Sequence, residues 1–191
     1  MKKPLVINIG LHKTGTTSLA ETMIRLGCHI WHGGSRRNNT REIEGLLKGE
    51  QPEWEIYTDS WFLRKNAFAI ASQFPSVLFI ATTRELDTWM TSVIMHKMGA
   101  RMGLGTLRDS AWIREPIDEV NLQAIHRQNT LLIRDLGFSH NVLELPLEEE
   151  DKLGMLCEFL GKIPEHEGET LASRAQRIGV RYQRANLGWW R

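Results

Sequence analysis

Short apolar runs alternate along the chain with longer stretches in which apolar residues recur at helical spacing. The apolar runs predict four buried strands, at residues 4–10, 54–60, 76–84 and 141–147. The periodic stretches predict helices, the first closing at Gly27 and the others at residues 61–74, 85–98, 116–137 and 148–161. Strands that alternate with helices favour an α/β fold of three layers, in which a parallel β-sheet is flanked by helices on both faces.

Two polar segments interrupt this alternation. Residues 28–53 are interpreted as a surface excursion with a short helix, and residues 98–110 are rich in glycine. The chain of 191 residues is predicted to form a single domain, 1–191, that ends in a basic tail at 169–191.

The charge on the chain is balanced overall but unevenly distributed. The 24 Lys and Arg residues exceed the 23 Asp and Glu residues by one, which is too balanced for a protein that coats nucleic acid. Residues 1–41 nevertheless carry seven basic residues and one acid, and residues 169–191 carry five arginines and one acid. This distribution is suited to a local basic cleft for a small polyanion, and no nucleic-acid partner is expected.

The cysteines and the first residues predict a cytoplasmic protein. Cys28 and Cys157 lie far apart, which favours two buried thiols in a reducing compartment over a disulfide or a zinc site. The apolar run before Gly10 is too short for a signal peptide or a membrane span. Because the same run is too short to span a membrane, no membrane partner is expected. No His, Cys or acidic cluster has metal-ligand spacing, so no metal is expected.

The segment "GLHKTGTTSL", residues 10–19, has the layout of a phosphate-binding loop (P-loop). A strand leads into a glycine, four residues, a second glycine, two hydroxyl residues and a helix. The main-chain N–H groups of such a loop and the positive end of the helix bind phosphate oxygens. Nucleotide-hydrolysing loops carry Lys directly after the second glycine. Here Thr16 occupies that position and the lysine is Lys13, which changes what the loop can catalyse.

The residues "HKTGTTSL" resemble the phosphosulfate loop of the sulfotransferases that use 3′-phosphoadenosine 5′-phosphosulfate (PAPS). That family reads Pro-Lys-x-Gly-Thr-Thr, and His12 stands where Pro is common. The resemblance implies that Lys13 contacts the bridging oxygen and stabilises the charge on the leaving phosphate. It also implies that the cofactor's 5′-phosphosulfate is cradled by seven residues: His12, Lys13, Thr14, Gly15, Thr16, Thr17 and Ser18.

A second resemblance to the same family lies at residues 84–92. Arg84 ends the strongest predicted strand, and Ser92 follows eight residues later inside the next predicted helix. The family binds the 3′-phosphate with an arginine and a serine at this spacing. Arg offers a bidentate fork to phosphate and Ser a hydroxyl donor. The resemblance implies that Arg84 and Ser92 hold the 3′-phosphate.

The likeness extends over residues 4–161 and is nearest to the compact bacterial members. Residues 142–161 resemble the family's late strand and the helix that ends in Phe-Leu-Gly. The C-terminal Arg-Lys-Gly motif of the cytosolic members is missing. The basic tail at 169–191 is a candidate substitute for it.

Sulfuryl transfer to an alcohol also needs a group that takes the hydroxyl proton. Asp59 is the first candidate, because it ends a predicted strand at the sheet edge where ligands bind in such folds. A helix N-cap is an equally good interpretation of Asp59. His12, inside the loop, is the second candidate. His32 and Arg36 are weaker candidates to face the acceptor.

The combined motifs predict a sulfotransferase that moves a sulfuryl group from PAPS to a hydroxyl or amine and releases 3′-phosphoadenosine 5′-phosphate (PAP). The acceptor is expected to be a small molecule or a glycan, in a pocket shaped by residues 28–53 and 98–115. The terminal Trp189–Trp190 pair makes a homodimer contact an option.

Two alternatives stay open. A P-loop nucleoside or metabolite kinase is disfavoured by Thr16 and by the lack of an apolar strand that ends in a magnesium-binding Asp. A non-catalytic PAP- or nucleotide-binding module is the other, and the missing C-terminal motif gives it weight.

Overall fold

Five parallel strands form the central sheet of the computed structural model, which describes residues 4–32, 39–101 and 116–161. They are β1 (Val6–Asn8), β2 (Ile30–His32), β3 (Ile56–Thr58), β4 (Leu78–Thr83) and β5 (Asn141–Pro146). Their order across the sheet is β2-β3-β1-β4-β5, and every neighbouring pair is parallel. Most of the predicted pocket segment 98–115 and all of the basic tail 169–191 lie outside the described residues.

Helices cover both faces of this sheet. The described ranges contain α1 (Thr16–Arg25), α2 (Asn39–Leu47), α3 (Trp61–Lys65), α4 (Ala67–Gln73), α5 (Leu86–Arg101), α6 (Glu119–Gly137) and α7 (Lys152–Leu160). Successive strand residues point to opposite faces, so Ile7 packs with Ile70 and Ile133 from α4 and α6. Val6 packs on the other face with Leu19 and Leu156 from α1 and α7. The predicted three-layer α/β fold is confirmed.

Two local predictions are wrong. The predicted helix at 61–74 is two helices, because Asn66 leaves helical geometry and donates its side-chain amide to the Phe62 carbonyl at 2.8 Å. The predicted surface excursion contains an edge strand, β2, which pairs with β3 and buries Trp31. Three residues are too few to show a strand period, so pairing with β3 rather than local sequence defines β2.

The sheet order places β1 between β3 and β4, so the chain leaves β1 where the connections diverge to the two sides. Such a switch point opens a crevice beyond the carboxyl ends of the strands. The carboxyl ends of β1, β3 and β4 meet there, at Asn8, Thr58 and Thr83. None of the helices within the described ranges is long and apolar enough to cross a membrane.

Candidate active site

The loop between β1 and α1 has the backbone of a ligand cradle. Gly15 adopts a left-handed conformation (φ 96°) and starts α1 without a side-chain cap, so the first N–H groups of the helix face the loop. A methyl group on Gly15 would lie 2.9 Å from Leu147 Cδ1, and one on Gly10 would lie 2.5 Å from the Thr82 carbonyl oxygen. Glycine is therefore required at both positions of the motif.

A buried polar network supports the loop from below. The Asn8 amide lies 3.2 Å from Thr58 Oγ1, and its carbonyl oxygen accepts from the Gly10 N–H at 2.7 Å. The Thr14 and Thr82 hydroxyls are 2.8 Å apart. The network joins the loop to β1, β3 and β4. Sequence reasoning missed it, although a polar residue near the end of each apolar strand was its visible signal.

The resemblance predicts that Thr14 binds phosphate, but its side chain makes hydrogen bonds within the protein. The residue is 2% exposed, and its hydroxyl donates to the Leu11 carbonyl besides contacting Thr82. Any contact of Thr14 with a ligand therefore involves the main chain.

Lys13 and Asp59 are the non-glycine residues with positive φ in the part of the chain that the structure describes, at 67° and 58°. This conformation is costly for residues with a side chain and is found most often where a site requires it. Lys13 is half-buried, and loss of solvation lowers the pKa of its ammonium group, while the nearby Asp59 carboxylate raises it. The charges of the Lys13 and Asp59 side chains therefore interact.

Asp59 lies against the first turn of α1. Its Oδ1 accepts a hydrogen bond from Thr16 Oγ1 at 3.1 Å, and its Oδ2 is 3.4 Å from His32 Nε2. His32 ends β2 and pairs with Thr58 at the end of β3, which explains why it reaches Asp59. The expected position of Asp59 beside the loop matches this geometry, whereas Arg36 lies outside the described residues.

His12 is packed into the protein. Its carbonyl oxygen accepts from Trp89 Nε1 at 2.8 Å, and the two rings are 6.0 Å apart. Burial, reinforced by the positive charges of Arg64 and Lys13, lowers the pKa of His12 to about 3. Its imidazole is therefore neutral at ordinary pH and holds a proton poorly.

The remaining loop residues differ in environment. Thr16 is buried, Thr17 is exposed and Ser18 is half-buried. Ser18 lines a largely apolar pocket between α1, α7 and the end of β5, together with Leu145 and Leu147.

Arg84 follows β4 and reaches the loop. Its Nη1 donates to the Lys13 carbonyl at 3.5 Å, and its Nε is 3.7 Å from a Glu148 carboxylate oxygen. Within the described residues that buried Nε has no hydrogen-bond partner. The Arg84 carbonyl also contacts His126 Nε2 at 3.0 Å, which fixes the turn after β4.

Ser92 lies on α5, on the helix face that points to the loop. Trp89 stands three residues before it and contacts His12, and His96 stands four residues after it. Burial and the nearby Lys13 charge lower the pKa of His96, so this end of the face also lies near Lys13. Ser92 thus shares a helix face with Trp89 and His96, which lie near His12 and Lys13.

The five-stranded parallel sheet with helices on both faces defines a three-layer α/β protein. A family model described as "Sulfotransferase domain" matches residues 5–168, and the chain belongs to that family. The predicted family is confirmed, and with it a sulfuryl-transferring activity in general. None of the curated proteins searched matches the chain. No group of three or more His, Cys, Asp or Glu side chains in residues 4–32, 39–101 and 116–161 is arranged to hold a metal ion.

Proposed function

We propose that the protein transfers a sulfuryl group from PAPS to a hydroxyl or amine of a small-molecule or glycan acceptor and releases PAP. The observation that carries the donor assignment is the buried Arg84 Nε, which has no hydrogen-bond partner among the residues that the structure describes, on a guanidinium that contacts the Lys13 carbonyl. Bound PAPS would supply an activated sulfuryl group and a phosphate leaving group. The cytoplasmic location and the homodimer stay predictions from the sequence.

The residues present fit a ligand with two separate anionic groups. Lys13 has lost solvation, and Asp59 compensates it only in part, since the net effect still lowers the pKa of the lysine. The buried Arg84 Nε has the Glu148 carboxylate at 3.7 Å, beyond hydrogen-bond distance. An anion at each cation would restore the interactions that burial removed.

Lys13 and the start of α1 act on the 5′-phosphosulfate. The main-chain N–H groups from Gly15 to Ser18 bind its oxygens, because the first turn of a helix has no intrahelical acceptors for them. The Lys13 ammonium stabilises the negative charge that grows on the leaving phosphate. Such a preorganised charge contributes about 10²–10³-fold to rate in comparable sites.

Arg84 and Ser92 act on the 3′-phosphate. Arg84 contacts the Lys13 carbonyl from the end of β4, and Ser92 lies on α5, on the helix face of Trp89, which contacts the His12 carbonyl. The apolar pocket beside Ser18, lined by Leu145 and Leu147, has a volume of about 20 Å³, which is too small for a nucleobase, so no part of the nucleotide is assigned to it. Thr17 is exposed and Ser18 is half-buried, and both offer hydroxyl donors in the first turn of α1.

Asp59 takes the acceptor's proton. Its carboxylate is accessible, being 29% exposed, and Thr16 holds it against the loop. His12 is less suited to this role, because its ring packs against Trp89 and burial lowers the pKa of its imidazole to about 3, which weakens it as a base.

Transfer of ³⁵S from labelled PAPS to a panel of phenols, primary alcohols, amines and sugars tests the proposal. The wild-type protein is expected to label at least one class, and Lys13→Met to lose about 10²–10³-fold in rate. Lys48→Met, which alters an exposed lysine after α2, is the matched control and should leave the rate unchanged. Equal rates for the two variants would contradict the role of Lys13.

A P-loop kinase is the second candidate, and one observation favours it. The buried strand β3 is followed by Asp59, which contacts the loop through Thr16, and an acid beside the loop is the arrangement that a magnesium-dependent kinase needs. Thr16 at the usual lysine position and the family match favour sulfuryl transfer. Robust phosphoryl transfer from ATP with Mg²⁺, without turnover of PAPS, would decide for the kinase.

A non-catalytic binding module predicts a different result again. Such a protein would bind PAP tightly and turn over neither PAPS nor ATP with any acceptor of the panel.

A further inference from the structure

The edge strand β2 brings a titratable side chain to the proposed catalytic carboxylate. His32 Nε2 lies 3.4 Å from Asp59 Oδ2, while the other carboxylate oxygen is held by Thr16. The His32 and Asp59 side chains are 34% and 29% exposed, so both reach the open edge of the site. The registry of β2 with β3 sets this pairing, since His32 is opposite Thr58, the residue before Asp59.

The Asp59 carboxylate compensates part of the charge of the nearby Lys13. A proton on Asp59 would remove the negative charge that compensates the partly desolvated Lys13 ammonium. Passing that proton to a neutral imidazole would restore the carboxylate and place the new positive charge on a more exposed group. His32 is the imidazole in position, because its Nε2 faces the Asp59 oxygen that Thr16 does not occupy.

We propose that His32 is a proton-relay residue, which receives from Asp59 the proton of the acceptor and releases it to solvent. This inference rests on the proposed function. The acceptor oxygen forms the new bond to sulfur as the bridging S–O bond breaks, and that bond's electron pair leaves on the phosphate. The hydroxyl proton moves to Asp59 Oδ2 and then to His32 Nε2, so PAP departs as the anion and the pair is left as imidazolium and carboxylate.

A purely structural role for His32 makes different predictions. If His32 only orients Asp59 by hydrogen bonding, His32→Gln would replace it, since a glutamine amide can donate to the same oxygen. A relay needs a group that both accepts and releases a proton, which an amide does not do. The two roles are therefore separated by the glutamine variant and by added imidazole.

The experiment follows the ³⁵S label of PAPS into sulfate when water is the nucleophile and into 2-naphthyl sulfate when 2-naphthol is the nucleophile. Each transfer releases one PAP. We expect His32→Ala and His32→Gln each to lose about 10²-fold or more in rate. We expect 50 mM imidazole to restore His32→Ala at least tenfold, while PAP affinity by calorimetry stays within twofold of wild type. His29→Ala, at the exposed start of the same strand, is the matched control and should be unaffected.

Nuclear magnetic resonance provides a readout that needs no turnover. In the unliganded protein, Asp59→Asn should shift the ¹⁵N signals of the His32 ring and leave those of His29 unchanged. An active His32→Gln variant, or failure of imidazole to rescue His32→Ala, would overturn the relay. Unchanged His32 signals in Asp59→Asn would overturn the contact itself. A wild-type protein that does not bind PAP, or does not turn over PAPS, would instead contradict the proposed function.

Discussion

The groups on the two sides of the loop between β1 and α1, at the ends of β4 and of β3, differ in burial and in charge. On the β4 side, Arg84 and Trp89 are tied to loop carbonyl oxygens, and Trp89 is fully buried. On the β3 side, Asp59 and His32 form an acid–base pair of which each member is about a third exposed. In the proposed function this difference separates two roles: the β4 side binds a fixed anion, and the β3 side exchanges protons.

The position of each side in the sheet explains the contrast. β4 is a six-residue strand between β1 and β5, so its carboxyl end is enclosed. β2 and β3 have three residues each, and β2 is the edge strand, so the groups at their ends meet solvent. In the proposed function the acceptor approaches from the β3 side, where Asp59 and His32 are partly exposed.

The largest effect is expected from removing the carboxylate of the β3 side. Asp59→Asn keeps the size of the side chain and should reduce kcat for sulfuryl transfer by about 10³-fold, within the range for a lost general base. PAP affinity should stay within twofold of wild type, because the groups assigned to its two phosphates (the N–H groups at the start of α1, Lys13 and Arg84) are all kept. Steady-state kinetics and calorimetry on the same preparation check both. A variant that loses as much PAP affinity as kcat would contradict the claim that Asp59 acts in proton transfer and not in binding.

The next effect concerns the buried network that joins the two sides. Thr82→Val removes the hydroxyl that contacts Thr14, and should lower the free energy of unfolding by about 2 kcal/mol because buried polar partners are left unsatisfied. Urea unfolding measures the loss. Thr83→Val, on the next and less buried residue of β4, is the control and should change stability by less than about 0.5 kcal/mol. Similar losses in the free energy of unfolding for the two variants would contradict a stabilising role for the network.

A pH effect is expected from His12, which packs against the β4 side. Its pKa of about 3 in the folded protein lies below the unfolded value of 6.5. As pH falls below 6.5, the unfolded chain therefore binds a proton that the folded protein does not, and stability is lost. Between pH 8 and pH 5 wild type should lose about 2 kcal/mol more than His12→Gln. Parallel stability curves for the two proteins would contradict the burial of a neutral imidazole.

The smallest effect is expected from the acid beside Arg84. The Glu148 carboxylate, 3.7 Å from Arg84 Nε and half exposed, competes weakly with a bound phosphate. Glu148→Gln should tighten PAP binding about threefold at low salt and less at high salt, as for an exposed ion pair. Glu150→Gln, an exposed acid nearby, is the control. Equal effects of the two changes would indicate general electrostatics instead of a contact with Arg84.

The features that follow from local sequence were predictable. The loop at 10–19 is one contiguous motif, and Arg84 and Asp59 each come directly after an apolar run. The contact of His32 with Asp59 depends on a three-residue edge strand without a period of its own. The contact of Thr14 with Thr82 joins residues 68 positions apart and requires the β1–β4 register. Packing of His12 against Trp89 is likewise a tertiary property, which local sequence does not show.

Calorimetric titration of wild type and Arg84→Ala with PAP and with 5′-AMP tests the donor site most directly. The two nucleotides differ by the 3′-phosphate. Arg84→Ala should therefore weaken PAP binding about 30-fold, the value of a charge-assisted contact, and 5′-AMP binding less than twofold. Arg134→Ala, an exposed arginine on α6, should change neither. Equal losses for both nucleotides in Arg84→Ala, or no binding of PAP by wild type, would contradict the assignment of the β4 side to the 3′-phosphate of PAPS.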